Sequence, residues 1–314
     1  MRRLNAKKSD NKLMSFGFLN INKPGNITSH DVVTILRKSL GIKKIGHSGT
    51  LDPFATGVLV IGINEASRLF EYLPSNKIYL ATITFGIETD TNDITGKVLE
   101  RLNNFPTIDE IKEKIKEFTG KIKQRPPIFS AVKIDGQRAY NLARKSQINL
   151  DDIKEKEVEI YSIDIISYDV ETYNNTSLLK LKIHCSSGTY IRSIARDLGR
   201  ALNTCAVLSS LQRIKVGNCF NYEQSIDPQA INKLTLSNHL ISPLSVMELE
   251  KIYLDNVQVI DVLHGKSIKV DFRNKQTEVQ LTTSLLDNNN RLLGIGTLTD
   301  GCIIKPKKVF IKSE

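Results

Sequence analysis

In this 314-residue chain the residue types and spacing best suited to chemistry lie in Gly46-His47-Ser48-Gly49-Thr50-Leu51-Asp52-Pro53-Phe54-Ala55-Thr56-Gly57. Glycines, a proline and several hydroxyls make a tight loop with exposed backbone. Such a loop can cradle a phosphate, but it lacks the Lys-Ser/Thr ending of a nucleotide P-loop. What it offers is a carboxylate, because Pro53 confines the backbone of Asp52 to extended conformations at a strand entrance. On spacing alone Asp52 reads first as a turn aspartate bonding its own backbone, and second as a fixed reactive acid. The other candidate is Gly188-Thr189-Tyr190-Ile191-Arg192, where Arg192, Arg196 and Arg200 begin a basic stripe at every fourth residue. Such a stripe is ordinarily a solvated helix face, above all at Arg200. Arg192, in the first turn, stands against the helix dipole and so calls for an anionic partner, for which Asp52 is a candidate.

The elements that must position these groups follow from periodicity. Phe16–Asn22 alternates as a half-buried strand, Lys23-Pro24-Gly25 ends it, and Thr28/Ser29 cap a helix with Val32, Ile35 and Leu36 on its apolar face. Gly57–Ile63 is a near-continuous apolar run that predicts a buried strand, and Lys77–Phe85 places Tyr79, Ala81, Ile83 and Phe85 on one face. Thr107 and Glu110 form a capping box for a helix carrying Ile108, Ile111, Ile115 and Phe118, with Gly120 expected as its C-terminal cap. Val158–Val170 and Leu178–Cys185 predict an antiparallel pair turning at Asn174-Asn175. A helix of about fourteen residues is expected from Thr189, its apolar face formed by Ile191, Ile194, Ala195, Leu198 and Leu202. Past residue 241 the pattern becomes short strands, at Val257–Asp261, Val279–Thr282, Leu292–Thr297 and Cys302–Lys305. Mixed strands and helices with antiparallel pairs predict an α+β fold.

Composition bounds the partners. Lys+Arg is 44 against Asp+Glu 34, a formal net charge of +10 that fits a polyanion without requiring one. Residues Lys121–Lys145 hold Lys121, Lys123, Arg125, Lys133, Arg138, Arg144 and Lys145 against Asp135 alone, seven minus one, or +6 of that total. Four scattered cysteines, with no C-x-x-C pair, fit neither a zinc site nor a disulfide framework and suit a reducing compartment. No apolar run reaches the roughly 18 residues of a membrane span. Residues 1–13 read as a basic solvated tail without the apolar segment of a secretory signal, with Met1 and Met14 both open as starts. The expected compartment is the cytoplasm.

Taken together, these residues resemble the TruB-type tRNA pseudouridine synthases, in their bacterial stand-alone form. Gly46–Gly57 is similar to the family's active-site signature. Asn22-Lys23-Pro24-Gly25 with Thr28-Ser29, Lys77-Ile78-Tyr79, Thr89-Asp90-Thr91 with Asp93, Arg125-Pro126-Pro127 with Ser130-Ala131, and Gly188–Arg192 with Asp197-Leu198-Gly199 follow in family order. The resemblance implies a catalytic domain at 14–240 around a mainly antiparallel mixed sheet, with an RNA-clamping insertion at 121–152. A small β-rich, PUA-like RNA-binding domain would follow at 241–314.

The implied activity is isomerisation of the T-loop uridine, U55, of tRNA to pseudouridine after base flipping. The reaction breaks the N1–C1′ bond, turns the base and rejoins it through C5. Nothing is oxidised and no outside group is transferred, so the chemistry calls for neither a metal nor an organic cofactor. The resemblance makes Asp52 the catalytic residue, acting on the nucleotide as nucleophile or assisting glycosidic cleavage. It makes His47, Tyr79, Tyr190, Arg192 and Leu211 substrate-binding, with Arg192 paired to Asp52 and Tyr79 stacked on the base. It assigns RNA contacts to Lys23, Arg125, Lys133 and Arg138, and implies a monomer that meets the T-arm without a protein partner. Gln212, where the family often has arginine, and Ser48 and Phe54 are departures that leave Asp52, Tyr79 and Arg192 intact. Two alternatives stay open at this level. One is an RNA-binding chaperone that refolds tRNA; the other is the guide-RNA-dependent branch of the same superfamily. If the clamp neutralises about six phosphates, log K should fall with log salt at a slope of roughly −4 to −5.

Overall fold

The computed structural model describes residues 16–145, 147–171, 176–270, 280–299 and 302–310. The expected tail and the turn at Asn174-Asn175 lie outside them. In chain order, β1 is Gly17–Lys23, α1 Ser29–Leu40, β2 Ile45–His47, β3 Thr56–Ile63 and β4 Lys77–Phe85. A small hairpin, β5 Ile87–Thr89 with β6 Val98–Arg101, precedes α2 Ile108–Lys114 and β7 Gly120–Gln124. A second hairpin, β8 Lys133–Ile134 with β9 Gln137–Arg138, leads into α3 Ala139–Ala143. The long strands β10 Lys156–Glu171 and β11 Thr176–Cys185 come next, then α4 Ile191–Ala201, β12 Ala206–Val216 and β13 Phe220–Asn221. The last part holds α5 Leu236–His239, α6 Pro243–Val246, β14 Glu250–Tyr253, α7 Asn256–Leu263, β15 Ile268–Lys269, β16 Leu281–Leu286, β17 Leu292–Thr299 and β18 Ile303–Val309.

Nine strands make one sheet, ordered β1-β3-β12-β4-β11-β10-β7, with β2 on β3 and β13 on β12. Every pairing in it is antiparallel except β3 with β12, so the sheet is the mixed, mainly antiparallel one expected. One row crosses its centre in register: Lys23, Gly57, Arg213, Tyr79 and Ile183. Tyr79, Ala81, Ile83 and Phe85 do share a face, packing with Leu179, Leu181 and Ile183 of β11 and with Ile191, Ile194, Ala195 and Leu198 of α4. The five-stranded second sheet, β14-β16-β17-β18-β15, stands on the first through a common core of Phe16, Phe18, Val246, Met247, Leu292 and Ile295.

Several elements depart from expectation for local reasons. β1 is buried on both faces rather than one. Leu19 and Ile21 pack on α1, while Phe18 packs against Phe70 and Phe220. Its open edge is covered too, because Phe18 exchanges backbone bonds with Ile241, and Asn20 and Asn22 bond Ile226. The capping box of Thr107 with Glu110 forms, but the helix tightens to a 3-10 turn over Ile115–Phe118. Gly120, at φ +90°, therefore starts β7 instead of capping a helix. Val257–Asp261 is helical, not extended. The Asp255 carboxylate accepts from the N–H groups of Val257 and Gln258, and Gln258 bonds back to Asp255, so a cap overrides the strand-like alternation. Val262 then faces the core and Val257 faces solvent.

Gly57 shows what the central row demands. Its φ is +100°, and a β-carbon there would lie 2.3 Å from the Arg213 carbonyl oxygen. Gly57→Ala should lower unfolding free energy by about 2–4 kcal/mol through strain and a forced separation of β3 from β12, measurable by urea denaturation.

Candidate active site

Asp52 is held before its side chain does anything. The Ser29 hydroxyl, at the start of α1, donates to the Leu51 carbonyl at 3.2 Å and accepts from the Leu51 N–H at 2.9 Å. The backbone just past Asp52 is tied as well, where the Lys23 ammonium donates to the carbonyls of Pro24, Ile27 and Pro53 at 2.8, 2.7 and 3.1 Å. Lys23 is wholly buried. This corrects its expected role, since all three ammonium hydrogens are spent on backbone and none is left for an RNA phosphate. Burial depresses its pKa to about 8, against a smaller opposing pull from Asp52.

Arg192 sits on the first turn of α4, two residues after the helix cap Tyr190. Gln124 of β7 fixes that cap by accepting from the Tyr190 N–H at 2.8 Å and donating to its carbonyl at 3.1 Å. Arg192 Nε donates to Asp52 Oδ2 and Nη2 to Asp52 Oδ1, both at 2.8 Å. This is the bidentate fork that a guanidinium makes with a carboxylate. Nη2 also donates to the Phe129 carbonyl at 3.1 Å and Nη1 to the Thr91 carbonyl at 3.0 Å. Arg192 is 5% exposed and the Asp52 side chain 28%, so the cation is sealed while the acid stays partly open.

Behind the guanidinium stands a second acid to which sequence reading gave no role. Asp93 Oδ2 lies 3.6 Å from Arg192 Nη1, and its Oδ1 accepts from the hydroxyls of Thr91 and Thr95 at 2.9 and 2.6 Å. The dense Thr-Asp-Thr-Asn-Asp-Ile-Thr run was the available signal for such a turn. Two backbone bonds between this loop and Leu208 strap it to β12.

The expected base platform, Tyr79, is 6% exposed beside Leu211, Leu51 and Ala55. Burial raises its phenol pKa above the usual 10, so it is a neutral phenol at physiological pH. Burial likewise raises Tyr190, and it lowers His47 below its usual 6.5, with Arg213 and His30 adding to the effect. His47 is thus a neutral imidazole at pH 7. Arg213, across from Tyr79 in register, was also missed. It is 1% exposed and donates through Nε to the Val58 carbonyl at 2.7 Å and through Nη2 to the Gly49 carbonyl at 3.1 Å. Its one signal was parity, since Arg213 falls on the same strand face as Leu211.

The basic segment is less uniform than its charge sum. Arg125 pairs with Asp151 at 2.8 Å and Glu155 at 3.5 Å, and its carbonyl is held by Ser193 and Arg196 of α4. Lys121 and Lys123 stand opposite Glu159 and Glu157 in the sheet. Lys133, Arg138, Arg144 and Lys145 are exposed, with no ion pair among the described residues. Arg138 and Arg144 lie 6.0 and 5.8 Å from the Tyr140 ring centre. Arg196 is buried against Asp197 rather than solvated, whereas Arg200 is exposed.

Comparison with known proteins bears on this geometry. A family model described as TruB family pseudouridylate synthase (N terminal domain) matches residues 37–191. A protein of Microcystis aeruginosa (strain NIES-843 / IAM M-2473) named tRNA pseudouridine synthase B is 41% identical over 302 residues, covering 94% of this chain and 99% of its own. One of Borreliella burgdorferi (strain ZS7) with the same name is 41% identical over 259 residues, covering 82% and 88%. Among solved structures, a chain of "Crystal Structure of a Cbf5-Nop10-Gar1 Complex" aligns with a TM-score of 0.66 at 24% identity, over 94% of this chain and 85% of that one. That likeness concerns the fold.

The corrected role of Lys23 is testable. The folded state holds Lys23 near 8 against an ordinary 10.5, so it binds fewer protons than the unfolded chain between those values. Its contribution therefore makes stability rise with pH across that window. The unfolding free energy of wild type minus that of Lys23→Met should grow from pH 8 to pH 10.5, while the salt slope of RNA binding stays the same in both proteins.

Proposed function

The chain belongs to the TruB family of pseudouridylate synthases and is a tRNA pseudouridine synthase, and we propose that it converts the T-loop uridine U55 with Asp52 as its nucleophile. The observation that carries this reading is the two-point bond from sealed Arg192 to open Asp52. It holds a partly open carboxylate in place without using it up, because each oxygen keeps lone pairs free.

The flipped uridine lies against the Tyr79 ring, with Leu211 and Tyr190 lining the pocket. Flipping costs a few kcal/mol, and one stacked base returns about 1–3 kcal/mol, so the platform offsets most of the cost. Asp52 attacks C1′ as the N1–C1′ bond opens, the freed base turns, and C5 bonds to C1′ as the Asp52–C1′ bond breaks and returns the carboxylate. The C5 proton is lost and N1 regains one, so atoms and charge balance within the nucleotide. Tyr79 enters as a phenol, placed as a stacking surface whose hydroxyl lies beside Arg213. His47, neutral on β2, packs the opened loop instead of pairing with phosphate.

RNA contacts fall to Lys133 and Arg138 on the β8–β9 hairpin and to Arg144 and Lys145 just past α3, rather than to Lys23 and Arg125. Near full-length similarity to proteins named tRNA pseudouridine synthase B supports tRNA as the substrate, and in this reading it is met by a monomer without guide RNA or protein partner. The cytoplasm is the compartment this reading implies.

Mapping pseudouridine on unmodified tRNA tests the assignment. Asp52→Asn should lower product formation about a thousandfold or more while still binding tRNA, and equal product from both proteins would refute it. Tyr79→Phe should lose turnover more than affinity, and Tyr79→Leu should lose both. Replacing the four exposed clamp residues with alanine should make the log K against log salt slope shallower by about 3, for four phosphate contacts.

A further inference from the structure

A pocket is lined by Ser48, Ser75, Lys77 and Ser187 with Phe70 and Pro74. It opens between the loop that carries Asp52 and the Ser186-Ser187-Gly188 turn that leads into α4. We propose that this pocket is an anion subsite in which Lys77 and the serine hydroxyls hold a backbone phosphodiester of the RNA next to the reacting nucleotide. The inference rests on RNA being the substrate and adds a contact to that reading.

Three observations carry it. First, Lys77 and Tyr79 are two residues apart on β4 and so share a face, about 7 Å apart along the strand. The sugar-phosphate of a base stacked on Tyr79 falls within that reach. Second, the Lys77 ammonium gives one hydrogen to the Ser75 carbonyl at 3.0 Å and has no carboxylate partner among the described residues. Glu71, also on the pocket wall, is paired with Lys308. Third, the groups facing Lys77 from neighbouring strands are Arg213 of β12 and Cys185 of β11. The first is a cation, and the second is a thiol that burial raises to about 11, hence neutral. A half-buried cation beside a second cation, with hydroxyls around it and no internal anion, is completed by an external one. Burial depresses the Lys77 ammonium to about 8, and a bound phosphate would raise it again.

The test compares wild type, Lys77→Arg and Lys77→Met in tRNA binding at several salt concentrations and pH values. Lys77→Met should raise Kd about tenfold at moderate salt and make the salt slope shallower by about 0.7–0.9, while Lys77→Arg stays near wild type. Between pH 7 and pH 9.5 wild type should lose about tenfold in affinity as Lys77 deprotonates, and Lys77→Arg should not. This pH comparison decides the matter even if Lys77→Met fails to fold, and identical profiles would overturn the proposal. If wild type makes pseudouridine but Lys77→Met binds tRNA with unchanged Kd and slope, the subsite is refuted and the function stands. If wild type makes none yet the Lys77 effects on binding persist, the function falls and the subsite stands. Inorganic phosphate bound in the pocket at millimolar concentration, with tRNA binding indifferent to Lys77, would also overturn it, marking a site for free anions.

Discussion

The Asp52–Arg192 fork is the constraint around which the half built on the nine-stranded sheet is arranged. One guanidinium gathers the carboxylate at 52, a carbonyl at 91, a carbonyl at 129 and the helix at 192 into one point. These four stretches are distant in sequence, so the point exists only when β3, the Thr89–Asp93 loop, the start of the basic segment and α4 have all reached their places. A helix start ordinarily disfavours a cation, and here two acids and two carbonyls more than offset that preference. Because the arginine is sealed, its charge acts on Asp52 through a little-hydrated path, which strengthens the pull and fixes its direction.

Much of this was legible in the residues. The alternation of β4 correctly grouped Tyr79 with Ala81, Ile83 and Phe85, and the misplaced charge of Arg192 correctly demanded an anion. The capping box at Thr107 and the antiparallel pair of β10 and β11 also formed where spacing put them. The failures had a common cause. Val257–Asp261 alternates like a strand, yet the Asp255 cap decides for a helix, and alternation does not register caps. β1 looks half-buried because a sequence shows one strand's pattern, not the Ile226 and Ile241 segments that close over it.

Charge was the least legible quantity, because sequence counts charges and structure pairs them. Lys23 sits in a motif close to the Asp52 loop and reads as an RNA contact, but it is a buried strut beneath Pro53. Arg125 lies within the most basic stretch of the chain, while the acids that engage it, Asp151 and Glu155, lie past its end. Arg213 was hidden for the opposite reason, a single arginine in an apolar strand that holds Gly49 and stands by Tyr79. Burial, which periodicity suggests for apolar residues, has no comparable signature for a cation.

The closure of β1 by Ile226 and Ile241 has a consequence for how the molecule can be divided. The backbone that seals this edge belongs to the segment leading into the second sheet, so the nine-stranded sheet borrows its border from a later stretch of the chain. Cutting the chain before Ile241 would strip the amide and carbonyl of Phe18 of their partners and uncover an unpaired, apolar ribbon. Bare strand borders recruit other strands, and self-association is the ordinary outcome. The second sheet thus serves the first as a hem, whatever else it touches, and the two halves are better regarded as one folding partnership than as an enzyme with a detachable attachment.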